Sequence, residues 1–517
     1  MVRSDIVSES PFLHLTDSSR VPSLQESQII QQLIQEKKTH LALLNSRVPK
    51  RRSGKKIPRE LRVELEDARR FVRFHRALIA PWRRLPVEII AEIFLFTLER
   101  KCDPDEQDGD YWNDDRTGTL LLCKICRAWR HIAITTPSLW NILSLQLKTR
   151  PLSDWVSTWL DRSRSFPVHL QVTWDDKALP DVINPVISVF QSHLHHTAAL
   201  SIDGLDIENT SLVGDSYPLA TFSAAESTYA PLLSIVGIEL PPNNSWDWIR
   251  DACRASPCLS NFNSSKFSLD WFPVTNLTRM RLFEPVTMSA VFQILEQASG
   301  LQDIHFDING PSVTCSTGKV LVMESISRIE LTSSECLGQF LDQVSFPGVA
   351  HISILQIDNW PGAEFQSFLS RSSCTVKSLS FDDVQISEIE VVACLEHKAC
   401  AGLESLVVSE CDPPNANALL RHLTYHAHPF RLPHLTSLEF GNIYSADTLL
   451  ASLVESRVST ALTVPSGVSP PTRLGKVTFS FIDGPFMSKY MHTQDWRRLE
   501  VLDEESKLEI LWPEEYD

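Results

Sequence analysis

The cysteines and histidines are the first residues whose type and spacing could do chemistry. Cys123-x-x-Cys126 has the spacing of a redox pair or a zinc knuckle, since two thiolates about one turn apart can share an ion or a disulfide. No second pair accompanies it, and Leu120, Leu121, Leu122 and Ile125 set it in an apolar helix. Packing is therefore the expected role. Cys394-x-x-His397-x-x-Cys400 with Cys411 offers four groups of the kind zinc takes tetrahedrally. Cys394 falls on a helix-like stretch and Cys411 on a position of the repeat described below, so these also read as core. His422, His426 and His428, before Pro429, read as surface residues. Between Lys101 and Gly118, Asp103, Asp105, Glu106, Asp108, Asp110, Asp114 and Asp115 crowd one loop. A calcium loop needs glycine at its sixth position, and counting from Asp103 that position is Asp108. The expectation is no metal and no cofactor.

Gly214-Asp215-Ser216 resembles the nucleophile motif of the Gly-Asp-Ser esterases. That family places its base in an Asp-x-x-His element near the C-terminus, and this chain contains no Asp-x-x-His. It also lacks the G-x-x-x-x-G-K-[ST] phosphate loop and the G-x-S-x-G elbow. An esterase-like hydrolase is thus a remote alternative to a non-enzyme.

Residues 1–22 read as a disordered start. Ser23-Leu24-Gln25-Glu26 then has the form of a capping box. Ile30, Ile34, Leu41, Leu44 and Val48 follow as one helical stripe, and Leu61, Leu65, Ala68, Val72 and Ile79 as a second. Between them lies a basic break over 47–59 with two prolines and a glycine. The expectation is an antiparallel helical hairpin over 23–80. Its basic loop is a solvated turn, an import signal or a phosphate-contacting patch.

From about residue 270 an apolar triplet spaced L-x-x-L-x-L recurs: Leu277/Met280/Leu282, Leu301/Ile304/Phe306, Ile326/Ile329/Leu331, Ile352/Leu355/Ile357, Val376/Leu379/Phe381, Leu403/Leu406/Val408, Leu435/Leu438/Phe440 and Leu474/Val477/Phe479. First positions advance by 24, 25, 26, 24 and 27 residues, then 32 and 39, in or just above the range of leucine-rich repeats. Each unit is a short strand whose apolar face needs neighbours, with helix-like returns such as 290–295 and 390–395. The expected class is α/β: a curved solenoid with parallel strands and outer helices over 271–482, then a cap and acidic tail over 483–517. Residues 142–270 read as irregular early repeats, with strand-like alternation at 168–172 and 199–202.

The chain has 517 residues, 43% hydrophobic, enough for about three domains with sizeable cores. No apolar run follows the positive start and no stretch of about 18 apolar residues occurs, so a cytosolic or nuclear location and no membrane association are expected. Eleven scattered cysteines then stay thiols. Residues 1–84 hold 18 Lys/Arg against 9 Asp/Glu, a balance of +9 that leaves −25 for the rest of a chain totalling −16. An acidic body makes nucleic acid an unlikely partner, because phosphate neutralisation dominates such binding.

One segment remains. Ile89, Ile90, Ile93, Phe94, Phe96 and Leu98 crowd one helix; Leu120, Leu121, Leu122, Ile125, Cys126, Trp129 and Ile132 crowd a second. Two short helices and the turn at Pro137 cannot bury all of these among themselves, so the surplus calls for a partner. Leu85-Pro86-Val87-Glu88-Ile89, Ile93-Phe94, Ile125-Cys126-Arg127-Ala128-Trp129-Arg130 and Leu139-Trp140 together closely resemble an F-box. Residues 75–84 and the helix before them resemble the lead-in of F-box proteins common in mushroom-type fungi, and an F-box followed by leucine-rich repeats is a known pairing.

That resemblance implies a three-helix F-box over 81–141, interrupted by the insert 101–118. It would dock on the Skp-type adaptor of a cullin-RING ubiquitin ligase through Leu85, Pro86, Glu88, Ile89, Ile93, Phe94 and Ile125. Cys126, Trp129, Leu139 and Trp140 would form the small core. The repeats would hold an unknown protein substrate on their concave face, by Arg279, Arg281, Asp303, His305, Arg328, Glu330, Gln356, Lys377, Glu404 and Glu439. No residue of the chain would do bond chemistry. A scaffold without a role in ubiquitylation is the alternative.

Overall fold

The computed structural model describes residues 10–15, 20–48, 58–98, 116–174, 179–204, 230–239, 247–265, 267–310, 319–333, 335–412, 414–424, 432–458, 472–481, 490–505 and 509–511. Most of the basic loop, the acidic residues 103–115 and Gly214-Asp215-Ser216 fall outside these. The chain divides into two units: Met1–Gln146 with Arg150–Val172 and Pro185–His196, and Leu147–Thr149 with Thr173–Asn184 and Thr197–Asp517.

The first unit opens with α1 (Leu24–Ser46) and α2 (Arg59–Leu78) packed on each other. The capping box forms: Glu26 N–H donates to Ser23 Oγ at 3.2 Å and Ser23 N–H to Glu26 Oε2 at 2.7 Å. Ile30, Ile34, Leu44, Leu61, Leu65, Ala68 and Val72 are buried, so both stripes face inward. Residues 10–15 correct the expectation of a disordered start. Phe12 and Leu15 are buried in the cluster of Ile30, Ile34, Val72 and Leu78, and Ser10 Oγ lies 3.0 Å from Nε2 of the buried His75. Two large apolar side chains fasten this stretch although no periodicity announces it.

Three short helices follow: α3 (Val87–Thr97), α4 (Arg116–Ile125) and α5 (Arg127–Thr135). The apolar run 120–132 is therefore two helices and not the single one expected. Cys126 breaks it with extended backbone, and its Sγ accepts the Trp129 N–H at 3.4 Å as an N-cap. Strands β1 (Ile142–Leu147) and β2 (Val168–Trp174) with α6 (Ser153–Ser163) and α7 (Pro180–Ser192) come next.

The second unit alternates strand and helix. Its strands are β3 (Thr197–Gly204), β4 (Ile235–Glu239), β5 (Asn261–Ser264), β6 (Arg279–Thr287), β7 (Asp303–Asn309), β8 (Leu321–Val322), β9 (Arg328–Thr332), β10 (Val344–Ser345), β11 (His351–Ile357), β12 (Ser378–Val384), β13 (Ser405–Ser409), β14 (Ser437–Ile443), β15 (Lys476–Phe481) and β16 (Glu509–Leu511). Its helices are α8 (Asp247–Arg254), α9 (Met288–Gln297), α10 (Leu337–Gln343), α11 (Gly362–Ser372), α12 (Glu388–Leu395), α13 (Asn417–Leu423), α14 (Leu449–Val458) and α15 (Thr493–Glu505). The sheet is parallel in the order β3-β4-β5-β6-β7-β9-β11-β12-β13-β14-β15-β16, while β8 and β10 form a separate ladder. Thus β3–β5 continue the alternation upstream of residue 270, and β16 extends the sheet past 482.

Register fixes the core. Leu200, Val236, Phe262, Met280, Ile304, Ile329, Ile352, Leu379, Leu406, Leu438 and Val477 form one buried row across the sheet. Leu282, Phe306, Leu331, Ile354, Phe381, Val408, Phe440 and Phe479 form the next. The expected triplet Ile352/Leu355/Ile357 is corrected by this pairing. Ile352 pairs with Ile329 and Ile354 with Leu331, so the buried set is Val349/Ile352/Ile354 and Leu355 lies on the other face.

Among the described residues no helix is long and apolar enough to cross a membrane.

Candidate functional site

The segment 81–140 places its side chains on two sides of each helix. A 3-10 turn, Pro81–Arg84, closes with Leu85 N–H donating to Trp82 O at 3.1 Å, and Pro86 precedes α3, where a missing N–H costs nothing. Inward, Ile90, Phe94 and Leu98 are buried with Leu122, Ile132 and Leu139. The Trp129 ring sits 4.8 Å from Phe94 and 5.8 Å, edge on, from Trp82. Trp140 is fully buried, its Nε1–H donates to Ala133 O at 2.7 Å, and Arg162 stacks over its ring at 4.4 Å. Arg130 Nε–H donates to Cys123 O at 2.7 Å, tying α5 to α4.

Outward, α3 presents a second apolar row. Ile89 is 47% exposed, Ile93 42% and Phe96 84%, spaced four and three residues apart and so stacked along one helix face. On α4, Leu121 (59%) and Ile125 (52%) repeat the pattern. Leu85, Pro86, Val87 and Glu88 are also exposed. Of the residues expected to dock, Phe94 is the correction: at 1% exposure it belongs to the core and cannot meet a partner. Phe96, Val87 and Leu121 were missed as surface residues; the four-and-three spacing from Ile89 through Ile93 to Phe96 was the available signal.

The polar face of the sheet carries the other expected residues. Arg279, Asp303, Arg328 and His351 share one register row; Arg281, His305, Glu330 and Ser353 share the next. Asp303 Oδ2 accepts from Arg281 Nη2 at 3.2 Å and lies 3.0 Å from Arg279 Nε. Arg281 and Asp303 are buried, which corrects their expected role as substrate contacts. His305 Nδ1 lies 3.1 Å from Glu330 Oε1. Burial opposes ionisation of Glu330, but the His305 hydrogen bond and the charges of His305, Arg281 and Arg328 hold its carboxyl below the usual value. Burial lowers the His351 pKa, with Arg328 and Lys377 adding to it. Lys377 and Glu404 pair at 3.2 Å in solvent, a contact of little energetic consequence. Glu439 and Gln356 are exposed.

Gln356 has a left-handed backbone, φ 53°, as have Asp383 (54°), Glu410 (52°) and Asn442 (52°) at the matching strand ends. Beside them a cleft of about 430 Å³ is lined by Phe283, His305, Asp307, Asp382, Asp383 and Glu410, among others. Burial raises the Asp307 carboxyl, partly countered by His305. Asp307, Asp382, Asp383 and Glu410 lie just past the positions read from the triplets, so sequence spacing passed over them.

Cys394 and Cys400 are buried, and burial pushes both thiols up to about 12; that of Cys411 rises to about 11. His397 accepts the Ala399 N–H at Nδ1 and its Nε2 lies 2.9 Å from Ser370 Oγ.

No family model matches the chain. No curated protein matches it either. Among solved structures, that of a Bacteroides fragilis protein matches at 10% identity, covering 72% of this chain and 75% of its own, with a TM-score of 0.26. A likeness at that level carries no argument about fold or function.

Proposed function

We propose that the chain is a non-catalytic recognition subunit of an SCF-type cullin-RING ubiquitin ligase. The F-box-like segment docks on a Skp-type adaptor, and the leucine-rich-repeat-like sheet face holds the protein to be modified. The observation that carries the reading is the second, solvent-facing apolar row on α3 and α4. Covering a large apolar side chain is worth about 1.5–3 kcal/mol, so Leu85, Ile89, Ile93, Phe96, Leu121 and Ile125 give a docking surface its driving force. Leu85, Pro86, Ile89, Ile93 and Ile125 are also positions where the chain resembles an F-box.

The mechanism is proximity. Tethering a substrate lysine near a charged conjugating enzyme turns a rare encounter into a local one of high effective concentration. The reacting groups then belong to other subunits. The polar sheet face and its acidic cleft supply a surface on which substrate side chains can be read.

Changing Leu85, Pro86 and Ile89 together to alanine should abolish capture of a purified Skp-type adaptor while the second unit's thermal transition stays in place. Capture at the wild-type level would overturn the proposal. Proteasome inhibition should also raise the amount of a co-purifying target; unchanged recovery would make the chain a scaffold instead.

A further inference from the structure

The C-terminal end of the second unit holds a cluster that neither the docking row nor the polar sheet face uses. Asp447 precedes α14 and Asp495 lies in the first turn of α15, and each caps the other's helix. Asp495 accepts the Ala451 N–H at 2.7 Å through Oδ1 and the Thr448 N–H at 2.9 Å through Oδ2. Asp447 Oδ1 accepts the N–H groups of Gln494 and Asp495 at 3.1 and 3.0 Å. Close to the two carboxylates lies His492, 3% exposed and stacked on Phe481 at 3.8 Å. Its Nδ1 has no hydrogen-bond partner among the described residues. The closest carboxylate oxygen, Asp495 Oδ2, is 3.7 Å away, beyond hydrogen-bond reach. One donor atom from each of the three residues lies within 4.8 Å of the others.

We propose that Asp447, His492 and Asp495 bind one divalent transition-metal ion, with zinc the best match, and that the ion pins α15 to α14. A buried imidazole nitrogen without a partner is an exception that calls for an explanation, and a bound ion supplies one. Zinc accepts imidazole nitrogen and carboxylate oxygen at about 2.0–2.2 Å, so donors around it stand roughly 3.4 Å apart. The 3.7 Å separation of His492 and Asp495 is already close to that spacing. The backbone N–H groups that hold both carboxylates act as the outer contacts that orient metal ligands. Arg498, within electrostatic range of both aspartates, is tied to Glu455 by its Nε at 2.7 Å, so a dication would complete the local charge balance.

The test uses the full chain, stripped with chelator, loaded with zinc, dialysed, and assayed for metal by mass spectrometry. To subtract zinc held adventitiously by exposed side chains, the readout is the difference between wild type and His492→Ala. Wild type should retain one more equivalent of zinc per chain, and its Tm should rise on zinc addition where the variant's does not. Equal zinc content with the same Tm response in both would overturn the proposal. Should His492→Ala fail to fold, Asp447→Asn, which keeps an acceptor for the α15 amides, serves as the comparison with the same two outcomes.

Discussion

Ile93 and Phe94 are neighbours in sequence yet lie on different faces, Ile93 42% exposed and Phe94 1%, because one step along a helix turns the side chain by about 100°. Phe94→Ala should cost about 3–5 kcal/mol of unfolding free energy by opening a cavity against Trp129. Ile93→Ser should cost less, about 1 kcal/mol, because at 42% exposure the side chain forfeits only part of a full burial; denaturant titration of the two variants separates them. On the polar sheet face, Asp303→Ala should cost about 3 kcal/mol, since it withdraws the carboxylate from two largely buried guanidiniums. His196 gives a pH signature. Its burial, with the charges of His195 and His193, lowers its folded-state value from 6.5 to about 4. The unfolded chain therefore binds more protons between those values, so this contribution is fully present above pH 6.5 and is lost as pH falls toward 4. Denaturant titrations at pH 7 and 4.5 should show wild type losing on the order of 2 kcal/mol more than His196→Gln. Residue types were legible in the sequence, but α3 carries two apolar rows, and only packing decides which one is inside.

Elements were more legible than their boundaries. The capping box at Ser23 and the stripes of α1 and α2 could be read directly because the periodicity is local. The break at Cys126 could not, since a cysteine N-cap has no strong sequence signal; Ser387 shows the usual one, with Glu390 N–H on its Oγ and Glu390 Oε2 back on its amide at 2.9 Å. Ser387→Ala should cost about 1 kcal/mol and speed amide exchange at the start of α12. The slip at β11 has a physical cause: Ile352, Leu355 and Ile357 satisfy the same spacing as Val349, Ile352 and Ile354, and pairing with β9 chooses between them. Glycine contributes at one tight place here. A Cβ on Gly348 would stand 2.5 Å from Glu324 O, a backbone atom that cannot swing away. Gly348→Ala should therefore lower the Tm of the second unit, read by calorimetry.

At the scale of the whole chain, the α/β class and the repeating parallel strands were readable because the apolar triplet is periodic. The strands before residue 270 were weaker signals because their spacing is irregular and their triplets incomplete. β16 and the packed Phe12 and Leu15 were not read at all, being single contacts without a repeat. The proposed function rests on the first unit, where Ile90, Phe94, Leu98 and Leu122 are buried while a second apolar row faces solvent. The most direct test is calorimetric titration of the full chain with a Skp-type adaptor at several temperatures. The account predicts saturable one-to-one binding with a negative heat-capacity change, as apolar burial requires, and its loss in Ile89→Asp. No binding heat from the wild-type chain, or equal affinity in the variant, would contradict it.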